Sequence, residues 1–86
     1  MPGILHIASL LIHCRPELMP ALLPNLARLP GVEIHRHSPE GKLVVVLEVE
    51  HERQILDCID QIQQLPGVLS AALVYHELLS AEGDTP

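Results

Sequence analysis

The sequence predicts a single α+β domain of order βαββαβ, in which a four-stranded antiparallel sheet carries two helices on one face. Three observations predict this fold: a segment that occurs twice, a Pro-Gly pair in each copy, and two apolar runs of strand length related by the same offset. A chain of 86 residues has room for one core. We expect the domain to cover residues 1–77 and an acidic, disordered tail to cover residues 78–86.

The internal repeat sets the order of the elements. Residues 26–32, Leu-Ala-Arg-Leu-Pro-Gly-Val, return as residues 62–68, Ile-Gln-Gln-Leu-Pro-Gly-Val, at an offset of 36 residues. Proline does not continue a helix and glycine takes the left-handed conformation that ends one, so each pair marks a helix end followed by a strand. Two halves that each read strand, helix, turn, strand make the split βαβ, or ferredoxin-like, fold.

The elements follow in order from these marks. The first helix contains Pro16, Pro20 and Pro24, and because an interior proline costs roughly 3 kcal/mol, we expect this helix to be kinked or to start late. The second helix has isoleucines at helical spacing, and Ser38-Pro39-Glu40-Gly41 has the composition of a hairpin turn. The predicted strands are 4–13, 32–37, 42–50 and 68–76, and the predicted helices are 16–29 and 52–65.

Side-chain alternation assigns residues to the two faces of the sheet. The more apolar set of the third strand, Leu43, Val45, Leu47 and Val49, is assigned to the helices, and the repeat offset places Ile7, Ser9, Leu11 and His13 with it. The other face has no cover from the chain itself, and we call it the open face. We expect it to bind a partner through Leu10, Ile12, Val44, Val46, Glu48 and Glu50, joined by Leu73 and Tyr75 if the last strand has no bulge.

Composition excludes several classes of partner. The formal net charge of -6 opposes binding to nucleic acid, and a single tyrosine provides no stacking surface for bases. An acidic surface favours a cationic ligand, although acidity for solubility alone is an alternative. No apolar run is long enough to enter a membrane, and the N-terminus lacks the basic region of a secretory signal. With Cys14 and Cys58 outside any CxxC pair, we expect a cytoplasmic protein.

The residues that could carry chemistry do not form a recognisable site. His35 and His37 share a face of a strand by period two, but no further ligands have metal-binding spacing, so we expect neither metal nor cofactor. His13 and Cys14 are neighbours on a strand, where adjacent side chains point to opposite faces and cannot form a catalytic dyad. The sequence therefore predicts a binding protein and not an enzyme.

Four stretches together resemble the NapD family. They are the opening strand Ile-Ala-Ser-Leu-Leu-Ile at residues 7–12, the Leu-Pro-Gly-Val turn at 29–32, Gly-Lys-Leu-Val-Val-Val-Leu-Glu at 41–48, and Pro-Gly-Val-Leu-Ser-Ala-Ala-Leu-Val-Tyr-His at 66–76. The resemblance covers nearly the whole chain. The closing Leu-Val-Tyr-His and the order of the stretches are its most specific features.

The resemblance implies a cytoplasmic chaperone. Its partner would be the twin-arginine signal peptide of the catalytic subunit of periplasmic nitrate reductase, which it withholds from export until the cofactor is inserted. Such a peptide, with two arginines and an apolar stretch, suits an acidic protein with an open apolar sheet. Two alternatives are a small-molecule-sensing regulatory domain of the same fold and a structural homo-oligomer, and we expect a monomer or a weak homodimer.

Overall fold

The structure is a computed structural model, and it describes residues 4–80. The sheet has the strand order β2-β3-β1-β4, and each neighbouring pair is antiparallel. This arrangement confirms the predicted fold class. In chain order, the elements are β1 (Ile4–Cys14), a 3-10 turn (Pro16–Leu18), α1 (Met19–Ala27), β2 (Val32–His37), β3 (Lys42–Val49), α2 (Glu52–Gln63) and β4 (Val68–Ser80).

The core lies between one face of the sheet and both helices. The two central strands contribute alternate residues to it, and each helix contributes residues three or four positions apart, as the two periodicities require. The fully or nearly fully buried apolar residues are Ala8, Leu10, Ile12, Cys14, Met19, Leu22, Leu26, Leu43, Val45, Leu47, Ile55, Cys58, Ile62 and Ala71.

The first helix starts late, as its prolines predict. Pro16 opens the 3-10 turn, and the α-helix begins only at Met19, which places Pro20 in the first turn where a missing N–H costs nothing. Pro24 lies inside the helix and cannot donate the usual bond to the carbonyl of Pro20. The helix holds its position through packing, since Leu22 and Leu26 are completely buried.

The start of α2 changes the role predicted for Glu50. The side-chain oxygen of Gln54 accepts hydrogen bonds from the backbone N–H groups of Glu50 and His51, at 3.1 and 2.9 Å. Because β3 ends at Val49, Glu50 belongs to the entry of α2 and not to the strand. The prediction that Glu50 lies on β3, on the open face, was therefore wrong.

Gly41 closes the hairpin between β2 and β3 against the end of β1. Its carbonyl accepts a hydrogen bond of 2.8 Å from the N–H of Cys14. Its φ of +95° is one that other residues rarely adopt, and a Cβ at this position would collide with the carbonyl oxygen of Cys14. Glycine is the residue that allows this approach.

The last strand is longer than predicted. It continues four residues past His76 to Ser80, and its end pairs with the beginning of β1, where Ile4 lies opposite Ser80. The prediction that residues 78–80 belong to a disordered tail was therefore wrong, because these residues pair with the first residues of β1. The rest of the predicted tail, residues 81–86, lies outside the described residues.

The faces of β1 are the reverse of those predicted. Leu10 lies opposite Val45 and Ile12 opposite Leu43, and directly opposite residues of an antiparallel pair share a face. Leu10 and Ile12 are both 0% exposed under the helices, so placing them on the open face was wrong.

The inversion has a physical cause in the repeat itself. The buried residues of the two helices repeat at 36 residues, as Leu26 and Ile62 do. The buried residues of the strands repeat at an odd offset, such as the 35 residues between Leu10 and Val45. A shift of one residue moves every side chain of a strand to the opposite face. The repeat therefore predicts the helices correctly and inverts β1.

Within residues 4–80, no helix combines the length and apolar character needed to cross a membrane.

Candidate functional site

The open face of the sheet is the candidate site, because the helices leave it uncovered. Four rows of side chains cross it, each row formed by residues that lie opposite one another on neighbouring strands. In the order of β1 from its beginning to its end, the rows are Glu48-Ile7-Glu77, then Glu33-Val46-Ser9-Tyr75, then Arg36-Val44-Leu11-Ala72, then Lys42-His13-Ser70.

The first row places two carboxylates on either side of an apolar residue. Ile7 pairs with Glu48 of β3 and with Glu77 of β4. Because neighbouring strands are about 5 Å apart, the Cα atoms of the two glutamates are separated by about 10 Å. Both glutamates are exposed, and Glu33 adds a third carboxylate in the next row. This end of the open face is therefore acidic.

Tyr75 adds a polar contact at the acidic end. Its hydroxyl donates a hydrogen bond of 3.1 Å to Oε1 of Glu77. This bond and the negative charge of Glu77 raise the pKa of Tyr75 above its ordinary value, with a smaller contribution from desolvation. The phenol therefore stays protonated, and its oxygen can accept a hydrogen bond from a donor that approaches Glu77.

The middle of the open face is apolar. Val44, Val46 and Leu11 are half-buried by one another, and Ala72 continues the surface onto β4. The far end is cationic. Arg36 of β2 lies opposite Val44, and Lys42 lies in the next row, opposite His13. The open face therefore changes from acidic to apolar to basic along the direction of β1.

The predicted site residues divide into three groups. Val44, Val46, Glu48 and Tyr75 lie on the open face, as predicted. Leu73 was assigned there only if β4 had no bulge, and the strand does have a register shift between residues opposite Ser9 and Leu10. Leu73 therefore lies opposite the buried Leu10, on the helix side. Leu10, Ile12 and Glu50 lie elsewhere, as described above.

The residues of the open face that were missed include Ile7, Leu11, Glu33 and Glu77. Ile7 and Leu11 were assigned to the helix side with Ser9 and His13. The composition of β1 contains a signal that could have found them, because the set with Ser9 and His13 is more polar than the set of Ala8, Leu10, Ile12 and Cys14. Glu77 was missed because it lies beyond the predicted end of the last strand.

The histidines and cysteines do not add a metal or catalytic centre to this surface. A bulge at His35 breaks the period-two relation to His37, since Ile34 and Arg36 pair with successive residues of β3. Among the described residues, no three His, Cys, Asp or Glu side chains converge on a metal-sized site. Cys14 and Cys58 are free and buried, and burial raises the pKa of both thiols.

Two cavities lie away from the open face. One of about 200 Å³ lies between α2, β3 and the turn that follows α1, and its walls include Leu29, Leu47 and Cys58. Small-molecule sites usually measure about 300 to 1,000 Å³, so this volume does not favour a small-molecule sensor. The other, of about 320 Å³, is lined by His51, Arg53 and Gln54.

The matches to known proteins all belong to one family. Residues 5–79 match the family model described as NapD protein. The chain is 30% identical over 81 residues to the chaperone NapD of Escherichia coli strain K12, covering 93% of each chain. It is 37% identical over 79 residues to the chaperone NapD of Paracoccus pantotrophus, covering 91% of this chain and 69% of that one.

The fold is also similar to a solved structure. The solution structure of the E. coli Tat proofreading chaperone protein NapD superposes with a TM-score of 0.78 at 29% identity. The match covers 95% of this chain and 87% of that chain.

Proposed function

Because the chain belongs to the NapD family, a family of chaperones and not of enzymes, we propose that it binds the twin-arginine signal peptide of the catalytic subunit of periplasmic nitrate reductase. It acts in the cytoplasm and delays export of the subunit until the cofactor has been inserted. The open face is the binding surface. The observation that carries this proposal is the acidic end of the open face next to its apolar middle.

The acidic end suits two arginines. A guanidinium group forms charge-assisted, often bidentate hydrogen bonds with a carboxylate. Glu48 and Glu77 provide two such carboxylates on either side of Ile7. Where the bound peptide partly desolvates them, hydrogen bonds to charged groups contribute about 1.5 to 3 kcal/mol each, enough to discriminate arginine from a neutral residue. The hydroxyl of Tyr75 holds the carboxylate of Glu77 in place.

The apolar middle receives the apolar stretch of the peptide. From Ile7 to Leu11 the open face extends about 14 Å, the rise of about nine residues of α-helix. An amphipathic helix can lay its apolar side on such a surface. With the arginines at Glu48 and Glu77, the following apolar residues lie over Val46 and then Val44 and Leu11.

The basic end of the open face sets the direction of the peptide. Arg36 and Lys42 would repel the twin arginines if the peptide were reversed. The charges therefore favour one orientation, in which the arginines lie at the beginning of β1 and the apolar stretch runs towards the end of β1.

A peptide titration tests the proposal. A synthetic twin-arginine leader should bind, as measured by calorimetry, and a leader with both arginines replaced by glutamine should bind much less tightly. The double variant Glu48→Gln, Glu77→Gln should lose the preference for arginine, whereas Glu40→Gln in the exposed β2–β3 turn should keep it. Equal affinity of the intact protein for both peptides would refute the charge pairing and leave only apolar docking. No binding of either peptide would refute the proposed function.

A further inference from the structure

The open face continues past its acidic row, Glu48-Ile7-Glu77, towards the beginning of β1. Leu5 precedes Ile7 by two residues, Leu79 follows Glu77 by two residues, and the two leucines lie opposite each other in the register of β1 and β4. Side chains two residues apart on a strand share a face of the sheet. Leu5 and Leu79 therefore lie on the open face beyond the acidic row, and we call them the leucine pair.

The leucine pair lies where the sheet narrows to two strands. The register of β1 and β3 begins at His6, opposite Val49, so the leucine pair lies on β1 and β4 alone. Leu79 is 43% exposed and Leu5 is half-buried. The acidic row therefore has accessible apolar surface on the side away from the apolar middle of the open face, as well as on the side towards it.

The charges of the open face decide which part of a bound peptide reaches the leucine pair. With the two arginines at Glu48 and Glu77, the basic end formed by Arg36 and Lys42 favours the orientation in which the apolar stretch runs towards the end of β1. The residues that come before the arginines in the peptide then extend in the opposite direction. That direction leads over the leucine pair.

We propose that the leucine pair binds an apolar side chain that precedes the twin arginines of the signal peptide, an inference that rests on the proposed function. Along the strand, Leu5 is about 7 Å from Ile7, and four residues of α-helix rise about 6 Å. Residues four apart lie on the same side of a helix. The side chains four positions before each arginine therefore lie over the leucine pair when the arginines contact the acidic row.

Apolar contacts at the leucine pair also shield the arginine-binding carboxylates from water. Val46 and Tyr75 lie in the next row on one side of the acidic row, and the leucine pair lies on its other side. The contacts that contribute most to an interface are usually surrounded by residues that exclude water, and a charge-assisted hydrogen bond is stronger when water is excluded. A peptide that covers both sides therefore strengthens the pairing of its arginines with Glu48 and Glu77.

Two synthetic twin-arginine leaders test the proposal on the intact protein. One leader has leucine at the third and fourth positions before the first arginine, and the other has glutamine at both positions. The two leaders are otherwise identical, so they differ only where the peptide reaches the leucine pair. Because the leucine side chains are partly buried on binding, calorimetry should show that the leucine leader binds about 3- to 10-fold more tightly.

A matched pair of protein variants locates the contact. Leu79→Gln should remove most of the preference for the leucine leader and keep the preference for arginine, since both glutamates remain. Leu78 is the control residue, because it is 59% exposed and lies opposite His6 on the other face of the sheet. Leu78→Gln should keep both preferences. If Leu79→Gln does not fold, Leu79→Ala replaces it, and the comparison of the two leaders on the intact protein still decides the outcome.

The failure of this proposal differs from the failure of the proposed function. An intact protein that prefers arginine but binds the leucine and glutamine leaders equally overturns the leucine pair alone. The same holds if Leu79→Gln keeps the preference for leucine or Leu78→Gln removes it. It also holds if the intact protein sediments as a dimer and Leu79→Gln as a monomer, because a second copy then covers the leucine pair. Absence of binding by every leader, or equal affinity for arginine and glutamine at the twin-arginine positions, overturns the leucine pair together with the arginine pairing on which it rests.

Discussion

Tyr75 and Glu77 are joined by a hydrogen bond of 3.1 Å on the open face, and this bond connects the single tyrosine of the chain to a proposed arginine-binding carboxylate. Since the chain has no tryptophan or phenylalanine, ultraviolet absorbance and fluorescence report on this one position. The pair therefore provides an internal probe of the proposed site.

Replacing Glu77 with glutamine should lower the pKa of Tyr75 towards its ordinary value of 10.0, because the raised value depends first on the hydrogen bond to the carboxylate and then on its charge. A spectrophotometric titration of the phenolate measures the change. Glu48→Gln, on the far side of Ile7, is the control and should leave the titration of Tyr75 unchanged. An unchanged pKa in Glu77→Gln would show that the two residues are not bonded in solution.

Val45 and Val46 are neighbours in sequence that lie on opposite faces of β3. Val45 is 0% exposed, so Val45→Asp buries an unpaired carboxylate and should cost several kcal/mol out of a total stability of about 5 to 15 kcal/mol. Val46→Asp places the carboxylate on the open face, where it should leave the fold intact and weaken peptide binding. Urea unfolding and calorimetry separate the two effects. Two variants that both fold and bind normally would exclude the sheet as the site.

Leu10 and Leu11 form the corresponding pair on β1, where the structure reverses the prediction. Leu10→Ala should destabilise the protein by about 2 to 5 kcal/mol, because it opens a cavity in the core. Leu11→Ala should cost about 1 kcal/mol or less and should reduce the affinity for the peptide. Denaturant unfolding of both variants checks the assignment. A larger loss of stability in Leu11→Ala than in Leu10→Ala would contradict the observed faces.

Gly41→Ala should destabilise the protein by about 1 to 3 kcal/mol or more, since alanine at a φ of +95° is strained and its Cβ would collide with the carbonyl of Cys14. The free energy of unfolding measures the effect. Glu40→Ala, one residue earlier and exposed, should change stability by no more than about 0.5 kcal/mol. If the two variants were equally stable, the close contact between the hairpin and β1 would be absent in solution.

The buried thiols predict a loss of stability in alkaline solution. Burial raises the pKa of Cys58 in the folded chain above the ordinary value of 9.0, so the thiol ionises first in the unfolded chain. The stability that depends on the neutral thiol of Cys58 is therefore fully present below pH 9. It falls as the pH rises through the raised pKa of Cys58 in the folded chain. Cys58→Ala should show a smaller fall than the intact protein in urea unfolding across this range. An identical fall in both would mean that Cys58 is not buried as a thiol.

The fold was predictable because its signals are local. The Pro-Gly pairs at residues 30–31 and 66–67 mark both helix ends, and the prolines of α1 predict its late start. The buried face of β1 was not predictable from the repeat. A difference of one residue in the length of the link between strand and helix decides whether Leu10 or Leu11 is buried. The bulge that turns Leu73 towards the helices and the extension of β4 through Glu77 depend on pairing with β1, a contact between residues far apart in the sequence.

The pairing of β1 with β4 also determines when the sheet can be completed during folding. The strand that follows the N-terminus lies between β3 and β4, and its contact with β4 joins the two most distant elements of the chain. Closing so long a loop is entropically costly and slows folding. Until β4 has been synthesised, Leu10 and Ile12 have β3 on one side and solvent on the other. In a nascent chain, β1 therefore has only one neighbouring strand until β4 pairs with it.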